Sequence, residues 1–487
     1  MQTPSNKLYC TAQIREAERY AIDELAIPGR ELMRRAGYAL FEQIRRRWPE
    51  QSTITVFCGA GNNGGDGYDV ATLALQANYQ VTVYSLTDPN GLPGDALSAY
   101  QDFLQAGGSV SDFEAGQSQL LGVIVDALFG IGLSRDVGDA YALAIAAINA
   151  SACPVVAVDV PSGLHAYTGS VLGCAVKADV TVTFIGLKCG LFTGEAAEYC
   201  GEIVCSTLDI EDAVLAAMPP FALLLDKIDL PRRARIAHKG HFGHVLLVGG
   251  NLGYTGAIRL AGEAALRSGA GLVSIATRAA HGGFINIGRP ELMCHGVECG
   301  ETLQALLQKA SVVVIGPGLG QDDWGREMFN TVLASDKPCV LDADALNLLA
   351  EQSLRRENWI LTPHPGEAAR LLGCSTRQIS ADRFAALADI QNQYGGVCLL
   401  KGAGTLISGG DTVYVGTTGN PGMASGGMGD VLSGLIGGLL AQGVSLDEAT
   451  RLGVYAHGEA ADSLALEFGE RGLLAGDLPE RIRKLLN

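Results

Sequence analysis

Residues 55–67 read TVFCGAGNNGGDG. A β-rich run, Thr53–Cys58, meets a glycine turn, and an amphipathic stretch, Asp66–Gln76, follows. Gly59, Gly61 and Gly64 satisfy GxGxxG between a strand and a helix, the setting of a dinucleotide-binding turn. The acidic residue such a turn expects about 20 positions on would be Asp88. The polar insert Asn62-Asn63-Gly64-Gly65-Asp66 adds amide donors and acceptors that could meet a ligand or a cation.

Outward from this turn the same alternation continues. Val81–Leu86, Val123–Asp126, Val155–Asp159 and Val180–Phe184 read as short buried strands, with a helical stretch at Ala140–Asn149. Buried strands separated by helices predict a parallel, doubly wound sheet covered on both faces. Ligands bind such sheets at the carboxyl ends of strands, where Asn63, Asp126, Asp159 and Ser162 fall. Their oxygens suit a hard cation such as K⁺ or Mg²⁺. The alternative for Asp126 and Asp159 is capping of the helices that follow.

The second half repeats the class. Candidate strands are Val245–Val248, Leu272–Ala276, Val312–Ile315, Cys339–Leu341, Trp359–Leu361 and Val397–Leu400. Helical runs lie at Gly256–Arg267, Trp324–Leu333, Asp382–Gln393 and Val431–Leu440. Met218-Pro219-Pro220 and Asp229–His238 break the pattern, predicting domains over residues 1–220 and 225–487.

Residues 419–435, GNPGMASGGMGDVLSGL, are a glycine-rich loop entering an apolar helix, with Asp430 at the helix start. Unpaired N–H groups there attract phosphate. A carboxylate would repel it, so Asp430 suggests a base for a hydroxyl about to meet a phosphoryl group; the alternative is a tight turn before a buried helix. LLKGAGTLI (399–407) offers a second backbone cradle. In LTPHPGEAARLL (361–372), His364 stands at a strand-to-helix junction, as a ligand or a structural residue. Lys239, in HKGHFGHVLLVGG (238–250), either meets a phosphate or is a solvated loop lysine.

Bulk properties narrow the class. The chain has 487 residues, 48% apolar and 18% charged, enough for two large cores. Its net charge of −17 argues against a nucleic-acid surface. The local basic groups Arg45–Arg47 and Arg232–Arg235 read as solvated faces or linker. Twelve cysteines without a CxxC pair suggest a reducing compartment. Cys58, Cys339 and Cys398 lie in strand-like runs, as buried thiols. The opening MQTPSNKLYC has no signal-peptide pattern, and no run of 18 apolar residues occurs, so a soluble cytoplasmic protein is expected.

LMRRAG (32–37), CGAGNNGGDG (58–67), DALFGIG (126–132) and VDVPSGL (158–164) together resemble the epimerase domain of the bifunctional NAD(P)H-hydrate repair enzymes. The resemblance implies a Rossmann-like domain. It implies that Asn62, Asn63, Gly64, Gly65 and Asp66, with Gly130, Ile131, Gly132, Leu133, Ser134, Arg135 and Asp136, bind the hydrated dinucleotide. It further implies that Asn63, Asp126 and Ser162 hold K⁺, and that Asp159 is the acid/base. Lys188, in FIGLKCG, is a weaker candidate, with a surface lysine the expected reading; Thr72 stands where an arginine is expected.

The second half resembles the ribokinase-like superfamily and, more closely, the dehydratase domain of the same enzymes. The likeness rests on HKGHFGHVLLVGG, YTGAIRLAGEAALRSGAGLV (254–273), IGPGLG (315–320), LDADALN (341–347), TPHPGE (362–367) and GMGD. It implies that Ala257, Gly318, Gly320, His364 and Asp430 line the hydrate pocket, with Asp430 catalytic. It implies that Lys401, Gly402, Ala403, Gly404, Thr405 and Gly429 bind an adenine nucleotide. Asp342 and Asn347 would shape the pocket or a Mg²⁺ network, or cap a helix. The expected partners are NADHX, NADPHX and ADP, with ATP the alternative donor; a homo-oligomer is expected, without nucleic acid or membrane. The competing readings are a kinase of a small hydroxylated heterocycle with a fused accessory domain, and a non-catalytic first half.

Overall fold

The computed structural model describes residues 6–116, 119–210, 214–215, 218–227, 229–410 and 412–487. The first five residues, part of the opening read for a signal peptide, lie outside these, as do parts of the boundary region at 211–213, 216–217 and 228. The chain divides into two compact units, Met1–Leu223 and Leu224–Asn487.

In the N-terminal unit seven parallel strands run in the order Val110–Ser111, Gln80–Ser85, Thr53–Cys58, Val123–Ala127, Val155–Val158, Val180–Phe184, Glu202–Ser206. Alternate side chains serve opposite faces. Ile54, Val56, Cys58, Val123 and Val125 join the core under helices Gly29–Arg47, Asn62–Gln76 and Gly94–Gln105. Phe57, Tyr84, Ile124 and Val155 pack with Ile145 and Ile148 of helix Asp139–Ala150 on the other face. Chain order reverses at Thr53–Cys58, whose successor strands lie on opposite sides of it. That switch point opens a crevice at the strand ends.

Helix Asn62–Gln76 begins four residues before the amphipathic stretch that suggested it. Asn and Gly are poor helix interiors, but a Cβ on Gly64 would lie 2.2 Å from the Gly59 carbonyl oxygen. Close tertiary approach therefore overrides propensity.

The C-terminal unit carries seven parallel strands in the order Leu292–Gly296, Leu272–Thr277, His244–Val248, Val312–Ile315, Cys339–Leu341, Trp359–Leu361, Val397–Leu400. An antiparallel hairpin, Thr405–Gly409 and Thr412–Gly416, extends it. Helix Met428–Ala441 lies in the core, burying Val431, Leu435, Ile436 and Leu439 against Val314 and Ala261. Its glycines permit contact with helix Thr255–Ser268: a Cβ on Gly434 would come within 2.0 Å of the Ala261 carbonyl oxygen. All twelve cysteines are free, and Cys58, Cys339 and Cys398 are buried. No helix among the described residues is long and apolar enough to cross a membrane.

Candidate functional site

The N-terminal crevice is a cavity of about 570 Å³. Its walls bring together Asn62, Asn63, Asp66, Gly130, Ile131, Gly132, Leu133, Ser134, Arg135 and Asp159. Gly64 and Gly65 lie behind it as the buried first turn of the helix, and Asp136 is not part of the lining. Asp88 is also absent from it; its side chain caps the turn Pro89–Gly91 by accepting from Asn90 N at 3.0 Å.

Asp159 follows strand Val155–Val158 with a left-handed backbone, φ 66°. Asp tolerates that region better than most residues. Its Oδ1 accepts from Lys188 Nζ at 2.5 Å, Thr183 Oγ1 at 3.1 Å and Phe184 N at 3.3 Å. Lys188 is not the surface lysine expected from sequence: it has 0% exposure. Strand Leu187–Lys188 pairs with Lys7–Tyr9, and Nζ also donates to Thr183 Oγ1 at 2.9 Å and to the Phe184 carbonyl at 2.6 Å. Burial of an ammonium is sustained by such full pairing.

Neither strand-end aspartate caps a helix. Asp126 is wholly buried and accepts from Ser162 Oγ at 2.6 Å, Ser162 N at 2.8 Å and Leu128 N at 3.3 Å. Burial pushes its carboxyl up to about 6. Asn63 Nδ2 is buried without a partner, and a Cβ on Gly130 would lie 2.9 Å from Asn63 Oδ1. A buried carboxyl with no cationic partner among the described residues and an unsatisfied amide, whose N and O can be exchanged, fit a monovalent cation.

A larger hollow, about 930 Å³, is lined by Arg30, Arg34, Asp69, Thr72 and Asp102 among others. Arg30 is held there by Asp69 and Asp102 at 2.5 and 2.7 Å. Thr72 belongs to this hollow and bonds to the Tyr68 carbonyl, so the position where an arginine was expected does not line the N-terminal crevice.

In the C-terminal unit the strand ends collect charge around one ammonium. Lys401 Nζ lies 2.9 Å from Asp342 Oδ1 and 3.8 Å from Glu367 Oε2. Asp342 occupies a helix N-cap position, but its carboxylate makes no capping bond. It accepts from Thr362 Oγ1 at 2.8 Å and Ser433 Oγ at 2.6 Å. Lys401 leads among the groups that hold Asp342 below the usual carboxylate range against its burial. Burial, then the Asp342 charge, pushes Asp430 up to about 7. Three carboxyl groups around one lysine leave negative charge for a divalent cation to offset.

Asp430 stands in the first turn of helix Met428–Ala441, whose N-cap, Gly427, has φ 94°. That left-handed turn needs glycine, and it aims unpaired N–H groups toward the site. Gly429 faces the same cluster: a Cβ there would be 3.4 Å from Lys401 Nζ. Gly427 also approaches Leu260, one turn beyond Ala257, and Ala257 meets Gly318, which joins the glycine loop to this centre. Gly320 N donates to Asp344 at 2.9 Å.

His364 caps helix Pro365–Leu372: Nδ1 accepts from Gly366 N at 2.9 Å, and Glu367 returns a bond to His364 N at 2.8 Å. Nε2 therefore carries the proton of the neutral ring. Asn347 accepts from Arg370 at 2.7 Å and donates to Asp344 at 3.3 Å, apart from the carboxylates around Lys401. Lys239 is exposed on a short helical turn.

Sequence reading did not single out Glu367, Ser433, Thr362 or Arg383. The His364-x-x-Glu367 spacing is a capping signal that pointed to Glu367. Arg383 is 5% exposed beneath Lys401–Thr405, its guanidinium reaching the carbonyls of Leu400, Lys401 and Gly404 at 3.2–3.4 Å.

Fold and site define a two-unit α/β enzyme, each unit with a lysine-anchored aspartate and a glycine turn where strands end. The description "YjeF-related protein N-terminus" matches residues 29–190, and "NAD(P)H-hydrate dehydratase" matches residues 245–484. The chain is 51% identical over 485 residues to the bifunctional NAD(P)H-hydrate repair enzyme Nnr of Coxiella burnetii, covering 99% of each. It is 45% identical to that of Escherichia coli over 480 residues, 97% of this chain and 93% of the relative. A solved structure of the ADP/ATP-dependent NAD(P)H-hydrate dehydratase of Bacillus subtilis is 32% identical, covering 53% of this chain and 93% of its own, with TM-score 0.48. The chain belongs to the bifunctional NAD(P)H-hydrate repair enzyme family.

Proposed function

We propose that this chain returns hydrated NADH and NADPH to the usable cofactors in two steps, one in each unit. The N-terminal unit interconverts the R and S hydrates, with Asp159 as acid/base. The C-terminal unit dehydrates the S form at the expense of ADP, giving AMP and phosphate.

The chemistry follows from the leaving group. The hydrate carries a hydroxyl on ring carbon 6, and hydroxide leaves poorly. Asp430 takes the proton of that hydroxyl as its oxygen meets the phosphoryl group; phosphate then departs with the C–O bonding pair, driven by the ring-nitrogen lone pair, and ring carbon 5 loses a proton to the departing phosphate as the double bond re-forms. The Gly427–Gly429 backbone and Lys401 stabilise charge on the transferring group. Lys401, Gly402, Ala403, Gly404 and Thr405 hold the adenine nucleotide on a turn stiffened by Arg383. Ala257, Gly318, Gly320 and His364 wall the hydrate.

Mg²⁺, beside Asp342 and Asp430, would offset phosphate charge. K⁺, held by Asn63, Asp126 and Ser162, would supply positive charge beneath the dinucleotide crevice. Twelve free thiols support a cytoplasmic setting. A homo-oligomer remains the expected state, to be measured by light scattering.

One observation carries the reading: Asp430, raised to about 7 by burial and Asp342, stands in the first turn of a glycine-capped helix beside Lys401. A base with that pKa is matched to neutral conditions. The test mixes the full chain with NADH hydrate and ADP or ATP. Return of the reduced-nicotinamide absorbance with phosphate release is the expected result and identifies the donor; a stable phosphorylated product would indicate a kinase instead.

A further inference from the structure

Inverting one carbon by loss and return of water requires proton transfer on both faces of the ring, and Asp159 can serve only one. The N-terminal helix Thr11–Asp23 supplies a candidate for the other. Ile14, Arg15, Glu18 and Ile22 follow helical spacing and line the same cavity as Asp159. The helix is fixed from its start, because strand Lys7–Tyr9 pairs Tyr9 with Lys188, the residue that holds Asp159. No hydrogen bond or ion pair of the Glu18 side chain occurs among the described residues. Asp159 has an ammonium at 2.5 Å, whereas Lys188 and Arg15 act on Glu18 only at longer range.

Resting on the epimerase reading above, we propose that Glu18 is the second catalytic acid/base of the N-terminal unit, working across the cavity from Asp159. In one direction the Glu18 carboxyl gives its proton to the ring-carbon-6 hydroxyl. The C–O bond breaks, its electron pair leaving with water, and the ring-nitrogen lone pair forms a C=N bond. Water then adds to the opposite face, the C=N pair returns to nitrogen, and Asp159 takes the proton released. The reverse direction exchanges the two roles, and no oxidant or reductant is consumed.

The surroundings suit that assignment. Burial and the Asp159 charge push Glu18 above the ordinary glutamate range, and Asp95 adds to the rise, while Lys188 and Arg15 oppose it. Asp66 and Arg135 also line the cavity. Two carboxyl groups in unlike environments are the usual mark of an acid and a base in one site. Asp66, in the early turns of helix Asn62–Gln76, is the competing carboxyl, pushed well above the ordinary aspartate range by burial and then by the Asp159 charge, so a D66N arm separates the two.

The experiment follows R-to-S and S-to-R conversion by separating the hydrates, using the full chain, E18Q and D66N. We expect E18Q to slow both directions about a hundredfold or more, with KM within a few-fold. Its pH profile should lose the high-pH fall that marks a required acid. Unchanged thermal melting establishes that E18Q is folded, and unchanged dehydration of pure S hydrate that any loss is confined to the N-terminal unit. E18Q within about threefold of the parent, or a loss confined to D66N, overturns the proposal while leaving the epimerase reading intact. A parent chain that does not equilibrate the hydrates overturns both.

Discussion

Lys401 and Asp342 form an ion pair at 2.9 Å inside the C-terminal unit, joining the turn after strand Val397–Leu400 to the end of strand Cys339–Leu341. The Asp342 carboxylate is 2% exposed. Removing one partner leaves the other charge buried, at a cost of about 3–5 kcal/mol. Lys401→Met should therefore destabilise the unit by that order, and Lys401→Met with Asp342→Asn should be nearer the parent than Lys401→Met alone. Denaturant melts of the three chains check this.

Asp430→Ala should abolish nucleotide-dependent recovery of NADH and leave R/S equilibration unchanged. Equal loss of both activities would refute separate sites. Because the base must be ionised, and its pKa is raised to about 7, dehydration at low substrate should rise with pH through that value. A pH–rate profile flat from 6 to 8 would contradict this role.

Asp159→Ala should block use of the R hydrate while the S hydrate is still dehydrated. Lys188→Met, which strips the ammonium from Asp159 but fills the space, should slow equilibration about a hundredfold. Lys188→Arg should not restore it, since the three partners of Nζ enclose a single nitrogen. Chromatographic separation of the hydrates measures each.

K⁺ should raise the melting temperature of the N-terminal unit by a few degrees over choline, because a ligand bound only by the folded state stabilises it. Asp126→Asn should remove the difference. Scanning calorimetry in the two salts decides.

Gly434→Ala should cost about 1–3 kcal/mol through overpacking, since its Cβ would meet the Ala261 carbonyl at 2.0 Å. Chemical denaturation provides the check.

Much of the frame was legible because buried parallel strands are continuous apolar runs: Thr53–Cys58, Val312–Ile315 and Val397–Leu400 begin and end where composition placed them. Helix Leu446–Phe468 escaped notice because its buried face is built largely of small residues, Ala449, Gly453, Ala456 and Ala460, which give a weak apolar period. Lys188 was misjudged for a different reason. Charge alone suggests exposure, while the flanking Phe184, Ile185 and Leu187 were the true sign of a buried strand. Glu18 and Arg383 become meaningful only through the fold, Glu18 by sharing a cavity with Asp159 and Arg383 by reaching the Lys401–Thr405 turn, and no local pattern marks either.

The enclosure of Lys188 also bears on chemical wear. Reactive acyl donors in metabolism modify amines that are both uncharged and reachable. With its side chain 1% exposed and its Nζ engaged by Asp159, Thr183 and Phe184, this lysine offers them no approach. The anchor of the repair chemistry is thereby shielded from adventitious acylation for as long as the unit stays folded.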